Sequence, residues 1–358
     1  MLLNGIFPPI TTPFYPDGKM YYKKLEHNVD RYSKTPIGGI VVQGSTGEAL
    51  MLSDEEKREV LRIAMGAAAP EKPMIAGCGI ESAVETIRLI EYAAELSYDA
   101  AMIRTPYYYK SQMKPENMLA YYRFVADHSP LPLIIYNFPQ STGYDIPAEV
   151  VIQLAEHPQI AAIKESCGVI EKVKAMVDGT RHIRRNATVT DRFEPVTARM
   201  LKAAAAVPAG ELVPAAALAG GGGNAQAKPS SSGVHVIGNL KARRKDVGFQ
   251  VLVGSAQKLF ASLEVGAVGA ILAFADAAPT ACYEIYAAYK DGNKKLSQEK
   301  QDRIAAAAVR IVGELSIPGV KYAMDLNGYY GGNGRLPLLP LNAQTKAEIE
   351  KLMENIKN

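Results

Sequence analysis

Eight short apolar runs, separated by amphipathic stretches, recur along most of this 358-residue sequence. They cover residues 5–14, 38–42, 73–77, 100–104, 131–136, 160–164, 249–253 and 267–274. Continuous apolar strands that alternate with helices are typical of an α/β fold whose parallel sheet is buried on both faces. Eight such units predict a (β/α)8 TIM barrel, since the first run lacks the Gly-x-Gly-x-x-Gly pattern of a dinucleotide-binding sheet.

Two segments break this alternation. Residues 181–248, here called the insert, are rich in Ala, Gly and Pro and carry 11 Lys or Arg against 4 Asp or Glu. Residues 277–358 have mostly helical patterns. The sequence therefore predicts a barrel over residues 1–276, interrupted by a long basic insert before the seventh strand, and a helical C-terminal extension over residues 277–358.

The insert connects a helix to the next strand, and such connections lie at the N-terminal face of a barrel, opposite the usual active site. We therefore expect it to serve stability or interaction, or to be disordered, and not to act as a lid. Residues 189–206 within it are compatible with a helix, and the Gly/Ser/Pro-rich residues 220–233 are expected to be flexible. The basic run 243–245 is expected to be a solvated loop, with contact to an anionic partner as the alternative.

Several classes of protein are disfavoured by composition. The three cysteines lie far apart and the five histidines are scattered, so neither a disulfide framework nor a metal site is expected. No apolar run reaches the roughly 18 residues that span a membrane, and no secretory or transit pattern opens the chain. We expect a cytoplasmic protein without metal or cofactor and without a membrane or nucleic-acid partner.

The sixth apolar run ends in a lysine, Lys164. Lysine is rarely fully buried, because removing an ammonium group from water is costly. Burial therefore favours the neutral amine, which is a nucleophile. Lys164 is the first candidate catalytic residue.

Other polar groups follow the ends of neighbouring runs. Residues Gly44, Ser45, Thr46 and Gly47 come after the second run and are typical of a nest in which backbone N–H groups and hydroxyls bind a carboxylate or phosphate. An ordinary strand-to-helix turn is the alternative for this stretch.

Tyrosines, a glycine and a serine lie at the ends of three further runs. Tyr107-Tyr108-Tyr109 follow the fourth run, Tyr136 closes the fifth, and Gly254-Ser255 follow the seventh. For the three adjacent tyrosines, packing at an interface is the alternative. An amine, tyrosine hydroxyls and an anion nest at one end of a barrel favour imine chemistry on a small 2-oxo acid.

Three motifs at these spacings, 44–48, 136–139 and 163–166, resemble the dihydrodipicolinate synthase / N-acetylneuraminate lyase family of class I, pyruvate-handling aldolases. The resemblance covers residues 4–180 and 249–345. It implies a (β/α)8 barrel, usually assembled as a homotetramer, with pyruvate as a substrate.

The resemblance also implies roles for individual residues. Lys164 would form the Schiff base with pyruvate, and Tyr136 would shuttle protons. Ser45 and Thr46 would relay protons and bind the substrate carboxylate. Tyr108 would reach into the site of a neighbouring subunit.

The second substrate is less well defined by the resemblance. Dihydrodipicolinate synthases carry an arginine shortly after the Tyr-Asn-x-Pro stretch, and this chain has Ser141 there. A serine cannot replace a bidentate contact between a guanidinium and a carboxylate. The Pro-x-x-Thr-Gly pattern, residues 254–256 and the 317–332 tail resemble 4-hydroxy-2-oxoglutarate aldolases and 2-keto-3-deoxy sugar acid aldolases. Cleavage of a 4-hydroxy-2-oxo acid to pyruvate and an aldehyde is the first expectation.

Two alternatives remain at this point. One is condensation in the direction of 4-hydroxy-tetrahydrodipicolinate synthase, in lysine biosynthesis. The other is a non-catalytic barrel that binds a partner through its insert. The substrate-binding candidates beside the catalytic ones are Gly44, Thr46, Gly47, Ser141, Gly254 and Ser255, and the expected assembly is a homotetramer or homodimer.

Overall fold

A computed structural model describes residues 1–190, 193–206, 235–237 and 240–356. Its strands are β1 (Gly5–Phe7), β2 (Ile40–Val42), β3 (Met74–Gly77), β4 (Ala100–Arg104), β5 (Leu133–Asn137), β6 (Ile160–Glu165), β7 (Asn186–Thr190), β8 (His235–Ile237), β9 (Leu240–Asp246), β10 (Gln250–Val253) and β11 (Gly269–Ile271). Eight of them form one parallel sheet in the order β1-β11-β10-β6-β5-β4-β3-β2. Hydrogen bonds from Gly38 N to Ile6 O (2.8 Å) and from Val41 N to Pro8 O (3.0 Å) join β2 to β1 and close the sheet into a barrel. The predicted TIM barrel is confirmed.

Helices separate the strands. They are α1 (Tyr22–Ser33), α2 (Asp54–Ala67), α3 (Ala83–Glu95), α4 (Pro115–His128), α5 (Pro139–Thr142), α6 (Ala148–Ala155), α7 (Ile170–Gly179), α8 (Ala198–Ala206), α9 (Leu259–Glu264), α10 (Phe274–Ala277), α11 (Pro279–Lys290), α12 (Lys294–Ala308), α13 (Ser316–Leu326) and α14 (Ala343–Met353). The local sequence indicates where several of these helices begin. Ser53 and Glu56 form a reciprocal capping box at α2, and Pro115 and Pro279 occupy first-turn positions of α4 and α11.

The barrel strands are buried on both faces, which explains why they form continuous apolar runs. Inward-facing side chains make one cluster inside the barrel, listed here from strand to strand: Phe7, Val41, Ile75, Met102, Ile134, Ala162, Leu252 and Ile271. Alternate residues of the same strands pack outward against the helices in a larger cluster. The eighth strand is shorter than its apolar run, because Phe274 already belongs to α10.

The described part of the insert contains strands that the sequence did not predict. β7, β9 and β8 form a three-stranded antiparallel sheet in that order. Ala187 and Val189 of β7 are buried while their neighbours are not, and this period of two is a strand pattern, so the predicted helix over 189–206 is wrong in its first part. Its second part contains α8. The basic run 243–245 lies in β9 and is not a loop.

This insert sheet and α8 pack on the N-terminal face of the barrel. The Arg185 guanidinium donates to the carbonyls of Ala155, His157 and Ile160, where β6 begins. Arg199 of α8 donates to the carbonyls of Ala68 and Lys72, just before β3. The segment 220–233, predicted to be flexible, lies outside the described residues.

The C-terminal extension is helical, as predicted. α11 packs along α12, and a π-helical turn at Val309–Glu314 leads from α12 towards α13. Residues that follow α13 return to the barrel mouth, where Arg335 N donates to Glu48. None of the helices in the described part of the chain combines the length and the apolar character that crossing a bilayer requires.

Candidate active site

Three polar residues form one row across neighbouring strands at the C-terminal mouth of the barrel. Arg104 of β4 pairs with Tyr136 of β5, which pairs with Lys164 of β6. Paired residues on adjacent parallel strands point to the same face. The residues two positions earlier on these strands are Met102, Ile134 and Ala162, and they lie inside the barrel. The row is therefore the next inward layer, directly above the apolar interior.

Lys164 lies in this layer with 4% of its surface exposed. Its Nζ is 4.1 Å from the centroid of the Tyr136 ring. Burial lowers the pKa of the Lys164 ammonium to about 7, and the Asp276 carboxylate acts in the opposite direction. A substantial fraction of this amine is therefore neutral and nucleophilic at neutral pH.

Asp276, on α10, is a residue that the sequence reasoning missed. It is fully buried, and neither carboxylate oxygen has a hydrogen-bond partner among the residues that the structure describes. Burial raises its pKa well above the usual range, while Lys164 acts to lower it. The available signal was a single acid within an otherwise apolar stretch at 270–278.

Tyr136 is linked to Ser45, since their hydroxyl oxygens are 3.2 Å apart. Burial raises the pKa of Tyr136 to about 12, and the hydrogen bond to Ser45 and the charge of Arg104 act to lower it. The phenol is therefore protonated at neutral pH. It can accept a proton only if it passes its own to a neighbour, and Ser45 is placed to take it.

The stretch 44–47 forms a tight turn after β2. Gly47 N donates to Gly44 O and Glu48 N donates to Ser45 O. The amides of Ser45 and Thr46 donate to no group within the described parts of the chain. Two unpaired N–H groups beside a hydroxyl are the donors that a bound carboxylate requires.

This turn is held in place from the C-terminal extension. The Glu48 carboxylate pairs with Lys321 Nζ at 2.5 Å, and both side chains are fully buried. The Lys321 ammonium also donates to the carbonyls of Thr12 and Asn333, each at 2.9 Å. Thr12 Oγ1 in turn donates to Gly47 O at 2.6 Å.

Two predicted residues lie at the surface of the single chain. Tyr108 is 71% exposed, stacks edge-on with Tyr109, and donates its backbone N–H to Glu81. Ser141 is exposed on α5. The chain alone therefore unites Lys164, Tyr136 and Ser45 but does not bring Tyr108 to them.

The end of β10, the seventh strand of the barrel, is more crowded than expected. A side chain at Gly254 would overlap the hydroxyl of Ser166, so this glycine accommodates Ser166. The hydroxyls of Ser166 and Ser255 are buried and have no hydrogen-bond partner in the described residues. Both are close to β6 and can donate to a bound ligand.

One group of potential metal ligands is present among the described residues. Asp145, Glu165 and Cys167 bring their ligand atoms within 4.8 Å of one another. Lys172 forms ion pairs with both acids, with its Nζ 3.2 Å from Glu165. A protein cation therefore already neutralises this group.

The sequence is similar to a family of known enzymes. The model of the dihydrodipicolinate synthetase family matches residues 2–204 and 228–356. The 4-hydroxy-tetrahydrodipicolinate synthase of Methanothrix thermoacetophila is 28% identical over 98% of this chain and 96% of its own length. The enzyme of the same name from an Exiguobacterium species is 26% identical over 99% and 98%.

Solved structures show the same similarity. A dihydrodipicolinate synthase from Acinetobacter baumannii, crystallised with pyruvate, has 26% identity and a TM-score of 0.76 over 99% of both chains. One from Bacillus anthracis has 23% identity and the same TM-score of 0.76 over 99% of both chains, which shows a common fold. With its closed eight-stranded barrel and a buried lysine at the mouth, the chain belongs to the dihydrodipicolinate synthetase family of class I, pyruvate-dependent lyases.

Proposed function

We propose that Lys164 forms a Schiff base with pyruvate and that the protein makes or breaks a C–C bond between pyruvate and an aldehyde. The observation that supports this most directly is the buried Lys164 amine, whose pKa burial lowers to about 7. A neutral amine attacks a ketone carbon and loses water to give an imine. The two unpaired amides at Ser45 and Thr46 are the proposed donors to the pyruvate carboxylate.

Proton transfer in this scheme is carried by the Tyr136–Ser45 pair. In the cleavage direction, the C4 hydroxyl gives its proton to Tyr136 as the C3–C4 bond breaks. Tyr136 passes a proton to Ser45, and Tyr108 of an adjoining subunit extends the relay. The electron pair moves into the protonated imine, and the resulting enamine takes up a proton and is hydrolysed to pyruvate.

The first candidate reaction is 4-hydroxy-tetrahydrodipicolinate synthesis, the activity in the names of the curated relatives. The protein would then condense pyruvate with aspartate semialdehyde. This candidate requires a cation for the aldehyde's carboxylate, and Ser141 cannot provide it.

The second candidate is an aldolase for 4-hydroxy-2-oxoglutarate or a 2-keto-3-deoxy sugar acid. The observation that favours it is Ser141, an exposed neutral side chain on α5 where the synthases carry arginine. The direction of the reaction then reverses, while Lys164 and Tyr136 keep the same roles.

The test of the Schiff base is reduction with borohydride in the presence of pyruvate. We expect a mass increase that maps to Lys164 and that disappears in Lys164→Ala. Lys174→Ala, which removes an exposed lysine of α7, is the matched control and should retain the adduct. If the wild-type protein gains no mass after reduction in the presence of pyruvate, the proposal is refuted.

The two candidate reactions are separated by kcat/KM. Cleavage of 4-hydroxy-2-oxoglutarate and condensation of pyruvate with aspartate semialdehyde are measured on the same preparation. A much larger value for condensation identifies a synthase, and a much larger value for cleavage identifies an aldolase.

A further inference from the structure

Arg104 is a charged residue at the mouth to which the proposed reaction scheme assigns no step. It ends β4 in the same inward layer as Tyr136 and Lys164. Its side chain lines a cleft together with Gly44, Ser45 and Tyr136. A guanidinium therefore borders the same cleft as the Tyr136 and Ser45 side chains of the candidate site.

Most of the hydrogen-bonding capacity of this guanidinium is unused. Nη1 donates to Gly79 O at 2.5 Å, and Nη2 lies 3.9 Å from Glu81 Oε1, too far for a hydrogen bond. Nε is buried and has no partner among the described residues. Since a guanidinium offers five N–H groups, donors remain for a ligand.

Neighbouring groups hold the side chain in one orientation. Its guanidinium carbon lies 5.4 Å from the centroid of the Tyr107 ring, and only 18% of the side chain is exposed. Glu81 pairs with it only at 3.9 Å, and the same carboxylate accepts the backbone N–H groups of Tyr107 and Tyr108. Burying a cation that is so weakly paired costs free energy unless an anion binds to it.

The position suits the far end of a substrate. Lys164 and Arg104 are separated by the intervening strand β5, so their Cα atoms lie about 10 Å apart at two strand spacings. Both residues belong to the same inward layer with Tyr136 between them, so a short 2-oxo acid that extends from the amine past Tyr136 would approach the guanidinium. The carboxylate next to the imine has its own donors at Ser45 and Thr46, so Arg104 is left for a second carboxylate.

We propose that Arg104 binds a second carboxylate of the substrate and so selects carboxylated partners over uncharged sugar aldehydes. This rests on the proposed Schiff-base function. Arg104 would supply, from β4, the cation that Ser141 does not supply from α5. Both 4-hydroxy-2-oxoglutarate and aspartate semialdehyde carry such a carboxylate, whereas 2-keto-3-deoxygluconate does not.

The test compares Arg104→Met, Arg104→Lys and wild type on 4-hydroxy-2-oxoglutarate, on pyruvate plus aspartate semialdehyde, and on 2-keto-3-deoxygluconate. We expect Arg104→Met to lose on the order of 100-fold or more in kcat/KM for the preferred carboxylated substrate, mainly through KM. Activity on 2-keto-3-deoxygluconate, which lacks a second carboxylate, should change less than about threefold, and Arg104→Lys should recover part of the loss on the carboxylated substrate. The borohydride-trapped pyruvate adduct should persist, which also shows that the variant is folded.

Lys110→Met is the matched control. Lys110 is an exposed cation whose Nζ lies 3.5 Å from the position of a Cβ on Gly143, beside the helix that carries Ser141. The proposal is overturned if the selective loss occurs in this variant instead, if Arg104→Met weakens all substrates equally, or if wild type prefers 2-keto-3-deoxygluconate. Absence of any pyruvate adduct in wild type would instead refute the Schiff-base function itself.

Discussion

Lys164 and Arg104 occupy equivalent positions, each near the end of an apolar strand and facing the barrel mouth. Burial affects them differently, because lysine releases its proton readily whereas arginine stays charged. The same kind of position can therefore supply the proposed nucleophile on β6 and the proposed carboxylate-binding group on β4. At the scale of the residue, amino-acid identity determines which chemistry a buried cation supports.

The protonation of Lys164 predicts how imine formation depends on pH. The neutral amine reacts, so the rate of pyruvate trapping at low pyruvate should rise as pH increases through about 7 and then level off. Asp276 acts to raise the pKa of Lys164, so Asp276→Asn should shift this rise to lower pH. Both curves are measured by trapping with borohydride after a short, fixed incubation with pyruvate at pH values from about 6 to 11. A rise centred near the ordinary lysine value would contradict the prediction.

Tyr136 is predicted to act after the imine has formed. Tyr136→Phe removes the hydroxyl that meets Ser45 and keeps the ring against Lys164. We expect turnover to fall by about 10² to 10⁴-fold, the usual contribution of a positioned acid or base. The pyruvate adduct should still form, as seen by mass spectrometry. Equal losses in trapping and turnover would instead indicate a structural role.

At the scale of the element, the turn after β2 depends on α13. Lys321→Met leaves the Glu48 carboxylate buried without its cation, a change that costs about 3–5 kcal/mol. We expect a lower free energy of unfolding in urea and a higher KM for pyruvate, because Glu48 directly follows the stretch that carries Ser45 and Thr46. Adding Glu48→Gln removes the unpaired charge and should restore part of the stability. A double variant less stable than Lys321→Met would contradict this account.

The sequence predicted the barrel elements well because burial on both faces makes their strands uniformly apolar. β7 was missed because only Ala187 and Val189 are buried in it, so it forms no continuous apolar run like those of the barrel strands. Lys164 was found as a cation ending an apolar strand. Arg104 gives the same signal, but the cleft that it lines forms only when β4 meets the turn after β2. Asp276 was missed because barrel closure brings α10 beside β6.

At the scale of the whole molecule, the two faces of the barrel carry different parts of the chain. The candidate site lies at the C-terminal mouth, and the described part of the insert covers the N-terminal face. Changes on one face should therefore leave the other unaffected. This expectation is tested through the residue that ties the insert to β6.

Arg185→Ala removes the guanidinium that donates to three main-chain carbonyls at the start of β6 and in the turn before it. We expect a cost of about 2–3 kcal/mol, because buried acceptors are left unpaired. The thermal midpoint should fall by several degrees, while KM for pyruvate stays the same. Arg184→Ala is the control, since Arg184 is 78% exposed and its pair with Asp246 contributes little. A raised KM in Arg185→Ala would show that the faces are coupled.

Assembly is the second prediction for the whole molecule. Tyr108 and Tyr109 stack on each other and are 71% and 67% exposed in the single chain. Exposed aromatic pairs favour interfaces. We expect a homotetramer or homodimer by analytical ultracentrifugation, and Tyr109→Glu should dissociate it and reduce turnover. A fully active monomer would contradict the relay through Tyr108.

Barrel closure also has a consequence for how the protein is made. β1 pairs with β11, so Gly5 meets its partner only when Gly269 has been synthesised. At the usual pace of about 5–20 residues per second, the first strand waits on the order of tens of seconds at the ribosome. During that interval its edge and the apolar interior are open to wrong pairing. Because closure of this sheet joins residues far apart in the sequence, we expect the nascent chain to expose apolar surface that chaperones bind.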